Sequence, residues 1–499
     1  MNRSVAGDAL RGAARSSVLS FAGALMSGLA GFVLSVLLGR GLGPLGSGYV
    51  FQMISVFTIA TAIAKLGLDT TSVWLLPRLA IDERDGVRPA VRRLLLGSAA
   101  GGVAAGAAIA LYAPFLDGGH EDLRTMLLVS AAFMPLAAVS TVALAVTRGL
   151  GGIRPYVLIG SIGLPGFRVA GVAVALALGA GAVTVGITWL GVLALITVLA
   201  LVWAQRSVRA FPSSSSAPGR DLTGRITRFS LPRAASSVVE QALLWQDVVI
   251  VGLLVGPAAA GVYAVVTRLV QAGFIPSTSM RIVVSPEFSR MVHQDRRAEL
   301  TEFYTRTAQW IVLMSAPMFL VFGILGQPIL SIFGPGFEQG YTALIVASLG
   351  GLLWSSAGNV QSLLLMAGGS GRAAMNKAVV LVVSLSLLFT LVPMWGIVGA
   401  ATAWTLSMTL DAVLALIQVR RMIGVTMGAK AIMSAVGCSV VCTAVPAVAA
   451  RLLLGDTYAA LAVGTISAGC VLAVTLFVSR KRFALEHAVA VFTRGRRRA

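Results

Sequence analysis

The stretch Ser17–Gly39, SVLSFAGALMSGLAGFVLSVLLG, runs 23 residues without a charge. It is followed at once by Arg40-Gly41-Leu42-Gly43-Pro44-Leu45-Gly46-Ser47 and then by a second apolar run over 48–76. An α-helix of this length rises about 35 Å, enough for the roughly 30 Å hydrocarbon core of a bilayer. The Gly/Pro cluster is a breaker between two such helices. The segment therefore reads as a transmembrane hairpin. The first run is too long for a signal-peptide core, and Gly39 to Pro44 is no small-residue cleavage site, so a retained first helix is expected.

The rest of the chain repeats this pattern. Of 499 residues, 57% are hydrophobic and 12% charged, against about 45–50% and about 25% in soluble domains. A water-soluble enzyme is excluded. At about 20 apolar residues per crossing the apolar content suffices for around 14 helices. Apolar stretches bounded by charge or turn residues fall at 17–39, 48–76, 94–113, 125–147, 156–178, 182–204, 231–255, 259–283, 307–333, 341–366, 374–393, 396–418, 431–453 and 457–478. The predicted fold class is an all-α polytopic membrane protein.

The formal charge of +20 would point to nucleic acid in a soluble chain. Here its placement is topological. With the N-terminus on the cytoplasmic side, 33 of the 39 Lys and Arg residues fall in cytoplasmic segments. Arg40, Arg124 and Arg451 fall in opposite loops, and Lys65, Arg168 and Arg268 lie inside predicted helices. Such an asymmetry is the positive-inside pattern. It predicts both termini on the cytoplasmic side. The tail after Arg480, with Arg496, Arg497 and Arg498, is expected to meet anionic lipid headgroups and not nucleic acid.

A weak repeat runs through the chain at an offset of about 213–218 residues. Gly43-Pro44 and Tyr49 correspond to Gly256-Pro257 and Tyr263. Gly151–Arg154 corresponds to Gly369–Arg372, and Gly181-Ala182 to Gly399-Ala400. Six helices separate equivalent points, so the halves share an orientation, a transporter architecture with the substrate between the halves. The expected organisation is a cytoplasmic N-terminus (1–16), a six-helix lobe (17–204), a Ser/Pro-rich linker (205–230), a second six-helix lobe (231–418), two added helices (431–478) and a basic tail (479–499).

Three segments carry a family resemblance. They are Leu38–Tyr49 with Lys65-Leu66-Gly67-Leu68, then Ser285-Pro286-Glu287-Phe288-Ser289-Arg290, then Gly368–Arg372 through Leu391–Ala401. Together they resemble the oligosaccharide flippase, or polysaccharide transporter, family of the multidrug/oligosaccharidyl-lipid/polysaccharide exporter superfamily. That resemblance implies two six-helix lobes around a cavity opening alternately to each side. The implied activity is transfer of a polyprenyl-diphosphate-linked glycan across the bacterial cytoplasmic membrane, with no cofactor and with a polysaccharide polymerase and glycosyltransferases as companions. A multidrug cation antiporter and a lipid II flippase of the same superfamily are the alternatives. From another class, a membrane glycosyltransferase or polymerase would need carboxylates or a sizeable extramembrane domain.

Ionised groups inside the membrane are costly and usually line a pathway. Arg168 and Arg268, one in each half, and more weakly Lys65, are the candidates for holding an anionic diphosphate, because guanidinium forks match phosphate oxygens. Asp69, one turn after Lys65, offers that lysine a local partner. Glu240 and Asp247, seven residues apart, suit an H+ or Na+ coupling site. Asp411, near Arg420 and Arg421, reads as an interfacial pairing residue. Gln241, Gln246, Asn359, Gln361 and Asn376 either contact sugar hydroxyls or tie helices together. Gly102 and Gly106 read as a close-packing face.

Other chemistry has little support. Gly41-x-Gly43-x-x-Gly46 joins two membrane helices instead of a strand and a helix, and no P-loop motif is present. His120, His293 and His487 are scattered, and Cys438, Cys442 and Cys470 lack metal spacing, so no metal site is expected.

Overall fold

The computed structural model describes residues 2–115, 121–212, 221–480 and 483, with side chains from Ala22 onward. Residues 213–220 of the expected linker, His120, His487 and most of the basic tail lie outside the described residues. The described chain is helical throughout, with twelve helical stretches long and apolar enough to cross a membrane. Two of them, Ala22–Asp82 and Ser370–Ile423, are 61 and 54 residues long, far beyond a single crossing. Each contains one glycine with non-helical backbone: Gly43 (φ 65°, ψ −175°) and Gly396 (φ 55°, ψ −133°). Divided there, the described residues form about fourteen helical segments of spanning length, and this is a multi-pass membrane protein.

In chain order, helices 1 and 2 cover 2–42 and 44–82. Helices 3 to 6 are Arg84–Phe115, Glu121–Gly149, Ile153–Ala177 and Ala182–Arg209. Helices 7 to 10 are Leu222–Leu254, Pro257–His293, Arg297–Ile324 and Phe337–Met366. Helices 11 and 12 cover 370–395 and 397–423, and helices 13 and 14 are Ala429–Leu454 and Tyr458–Val478. Helices satisfy their own backbone donors and acceptors, which a bilayer cannot do.

The chain divides into two compact units, residues 1–249 and 250–499, with the division inside helix 7. The first has a core from helices 2, 3, 4 and 6, including Leu75, Leu79, Leu94, Val142, Val146 and Ile196. Small residues let its helices approach. A Cβ on Gly102 would lie 2.5 Å from Pro135 Cα, and one on Gly106 would lie 2.4 Å from Ala131 O, so only glycine seats helix 3 on helix 4. The second unit is built around Phe288, Tyr304, Ile311, Leu363, Leu364 and Val419. Leu452, Leu453 and Phe477, on helices 13 and 14, are exposed, as side chains facing lipid should be.

Candidate functional site

Among the described residues helices 2, 8 and 10 are interrupted, and buried polar groups sit at the breaks in helices 2 and 10. In the first unit, helix 2 breaks after Ala64. Leu66 (φ 50°) and Gly67 (φ 69°) both take left-handed backbone, a conformation that disfavours a branched or bulky side chain. A Cβ on Gly67 would lie 2.5 Å from Ser230 O and 2.8 Å from Ala234 N, so the broken backbone of helix 2 touches that of helix 7. Lys65 Nζ spans the break to Asp69 Oδ2 at 2.9 Å, with both side chains largely buried. Lys65, one of the three expected headgroup cations, is thus neutralised by its neighbour one turn on.

Arg168 sits on helix 5, whose first turns are wide: Tyr156–Gly163 is π-helical before the α-helix resumes at Leu164. Its guanidinium carbon lies 3.4 Å from the centroid of the Trp189 ring on helix 6. Its Nε donates to Trp189 O at 3.3 Å. Trp189 is buried and meets Phe57 of helix 2 edge-on, at 5.9 Å between ring centroids. Among the described residues no carboxylate pairs with Arg168. A cation over an indole face gains electrostatic attraction without losing its charge. The stack fixes the guanidinium and leaves its positive charge in place.

On helix 7 the two acidic candidates occupy different surroundings. Asp247 is buried, and its Oδ1 accepts from the Val248 amide at 2.9 Å. Glu240 is exposed. Equivalent angular positions on the helix do not give the pair one shared environment.

In the second unit, Arg268 on helix 8 donates from Nη1 to Gln271 Oε1 at 3.1 Å. Helix 8 is interrupted at Phe274, whose ring packs on Phe319 and Trp354. Helix 10 is interrupted at Gly358 (φ 59°). The groups freed there find partners: Tyr304 Oη donates to Ala357 O at 2.7 Å, Asn359 Nδ2 donates to Ser277 O at 3.3 Å, and Ser277 Oγ donates to Asn359 Oδ1 at 3.2 Å. Inside a membrane such interruptions persist only where side chains replace the lost backbone bonds.

Next to this break lies a group of polar residues that the sequence did not bring together. Asp411 is fully buried, and its Oδ2 pairs with Lys377 Nζ at 2.7 Å. Its main-chain oxygen accepts from Gln361 Nε2 at 3.2 Å. Asn376 and Gln418 exchange two amide hydrogen bonds of 2.9 and 2.7 Å. Asp411 is thus a pairing residue, and its partner is Lys377 on the neighbouring helix instead of the sequence-near Arg420 or Arg421. Helices 11 and 12 form a hairpin about Gly396; Lys377 lies 19 residues before that turn and Asp411 lies 15 after it, so they meet at similar depth, with Arg420 and Arg421 farther along. Asn359, Gln361 and Asn376 tie helices together. Beside them a cavity of about 620 Å³ is lined by Arg372, Gln418, Arg421 and Met422. Among the described residues no group of three His, Cys, Asp or Glu side chains is arranged to hold a metal.

A family model for polysaccharide biosynthesis proteins matches residues 13–292. A curated relative, a probable flippase AglR of Haloferax volcanii, is 25% identical over 174 residues, covering 34% of this chain and 37% of that protein. The match thus spans little more than a third of the relative. Among solved structures, lipid II flippase MurJ in an inward closed conformation superposes with a TM-score of 0.73 at 12% identity, over 93% of this chain and 99% of MurJ. An inward-facing MATE multidrug resistance transporter of the MOP superfamily gives 0.65 at 16% identity, over 80% of this chain and 94% of that one. The fold of the chain is that of these transporters.

Proposed function

The chain belongs to the polysaccharide biosynthesis protein family, and from that premise we propose that it is a flippase. Its cargo is a polyprenyl-diphosphate-linked oligosaccharide, a precursor of a cell-surface polysaccharide, carried across the bacterial cytoplasmic membrane by alternating access. The observation that carries this reading is Arg168, an intramembrane guanidinium that stacks on Trp189 without a carboxylate partner among the described residues. An uncompensated cation at this depth is costly unless the cargo is anionic. The fully buried Asp411, by contrast, is already paired with Lys377.

In this mechanism Trp189 positions the Arg168 fork and the diphosphate supplies the missing negative charge. Arg268 plays the corresponding part in the second half. Lys65 joins only if its pair with Asp69 opens as the break in helix 2 moves. Asp247, buried on helix 7, is the better placed of the two acidic candidates for coupling to an H+ or Na+ gradient. The name of the Haloferax relative, a probable flippase, supports the same activity. A polysaccharide polymerase and glycosyltransferases are the partners such a route requires.

Depletion of the protein followed by mass spectrometry of the lipid fraction tests the reading. One polyprenyl-diphosphate glycan should accumulate, inaccessible to reagents added from outside spheroplasts. Unchanged lipid intermediates with altered dye efflux would instead establish a drug antiporter.

A further inference from the structure

A second cavity, of about 480 Å³, lies between the start of helix 3 and the end of helix 6, away from the polar groups described above. Three arginines surround it: Arg88 and Arg92, one turn apart on helix 3, and Arg209 at the last turn of helix 6. Arg88 Nη2 reaches across to Arg209 O at 3.4 Å, and Arg88 Nε is buried without an acceptor. Among the described residues no carboxylate pairs with any of the three. Three like charges held together without a counter-ion repel one another, so the arrangement calls for an anion.

The rest of the lining identifies the kind of anion. Below the guanidinium groups the wall is aliphatic, with Val91, Leu95 and Val208. The same faces continue along both helices into side chains that no protein covers. On helix 3, Arg88 and Arg92 are followed at helical spacing by Leu96 and Val103, 58% and 60% exposed. On helix 6, going back from Arg209, the same face holds Val202, Val198 and Leu195, of which Val198 is 59% exposed. A soluble anion has no use for such a strip. A lipid with a phosphate head and two acyl chains matches both parts, since basic pockets between membrane helices bind anionic headgroups at the interface.

We infer that this cleft is a binding site for one anionic phospholipid, with its phosphate among Arg88, Arg92 and Arg209 and its acyl chains along Leu96 and Val198. The site is built from residues of the first unit alone. It fastens helix 3 to helix 6 at the membrane surface, because Arg88 already bridges the two.

Native mass spectrometry of the full chain in detergent, titrated with phosphatidylglycerol as the probe, tests this. The parent protein should retain one phosphatidylglycerol that phosphatidylcholine does not displace. Each basic residue near an anionic surface contributes about fivefold in affinity, so R88Q/R92Q/R209Q should bind it about 100-fold more weakly. Loss of three tail charges in R496Q/R497Q/R498Q should leave the retained lipid in place. If the triple variant does not fold, R92E, a change at an exposed side chain, should still weaken retention by tenfold or more. Equal retention by the parent and either cleft variant would overturn the proposal. So would loss of the lipid from the tail variant alone, or displacement by millimolar inorganic diphosphate, which would mark a site for soluble anions.

Discussion

The two halves of the chain agree in their turns and disagree in how they treat charge. Gly151 (φ 92°) and Gly368 (φ 81°) end helices 4 and 10 with the same hydrogen bonds. Gly151 N–H donates to Arg148 O and Gly152 N–H to Thr147 O; Gly368 N–H donates to Leu365 O and Gly369 N–H to Leu364 O. Gly43 and Gly256 both stand in positive-φ backbone before a proline that starts the next helix, and Gly179 and Gly396 both end the helix before the next hairpin. Inside the helices the likeness stops. Helix 4 runs unbroken from Glu121 to Gly149, whereas helix 10 is interrupted at Gly358. The first half holds one cation on an aromatic face and pairs another, Lys65, within its own helix, whereas the second half forms an ion pair between two helices, Lys377 with the fully buried Asp411. The turns thus preserve a common plan, while the helix interiors have specialised.

The ion pair gives the largest expected effect. At the repeat offset, the counterparts of Lys377 and Asp411 fall at Ile159 or Gly160 and at Leu193 or Ala194, all uncharged. K377M leaves a carboxylate with no exposed surface and no counter-charge. Removing one partner of a buried pair costs about 3–5 kcal/mol, to be read as a lowered midpoint of unfolding in detergent. K377M/D411N removes both charges and should recover most of that loss. A double variant as unstable as the single one would mean that the pair does more than neutralise itself, and that the second half cannot be made apolar like the first.

Arg168 comes next. Arg168→Ala should lower glycan-lipid flipping by tenfold or more at unchanged protein level, about 1.4 kcal/mol or more, and Arg268→Ala should do likewise if the halves share the headgroup. Arg168→Lys keeps the charge but loses the planar fork and the stack, so it should fall between Ala and the parent. Full transport by both alanine variants would remove the anionic headgroup from the proposed mechanism. Loss in one alone would show that the halves divide the work unequally.

How much was legible in the sequence follows from the same contrast. Gly43-Pro44 and Gly396 announced themselves, because a glycine or a Gly-Pro step between long apolar runs has few other uses. The crossings and the repeat came from those signals and from the charge asymmetry. The partner of Arg168 lies 21 residues away on the next helix, and no local spacing marks Trp189 as its platform. Lys377 stands near the start of an apolar run and counts among the cytoplasmic basic residues, whereas in the fold it is the eighth residue of helix 11. Pairing across a hairpin depends on depth measured from the turn, and an uncertainty of a few residues at Gly396 is enough to conceal it. The break at Leu66-Gly67 was present only as a Gly within an apolar segment; its cause, the close approach of helix 7, is tertiary.

The smallest effect tests the shared turns themselves. A Cβ added at Gly151 or at Gly368 meets no atom within 4 Å, so alanine there is opposed only by left-handed backbone. That conformation costs an L-residue about 1 kcal/mol. G151A and G368A should therefore each lower stability by about the same 1 kcal/mol, measured side by side under one unfolding protocol. Gly399 supplies the contrasting case: its Cβ would lie 2.1 Å from Leu391 O, a backbone clash that no side-chain movement relieves, so G399A should cost clearly more. If G151A and G368A differ by as much as either differs from G399A, their matching hydrogen bonds do not reflect matching energetics. The repeat would then hold as geometry while its two turns carry different loads.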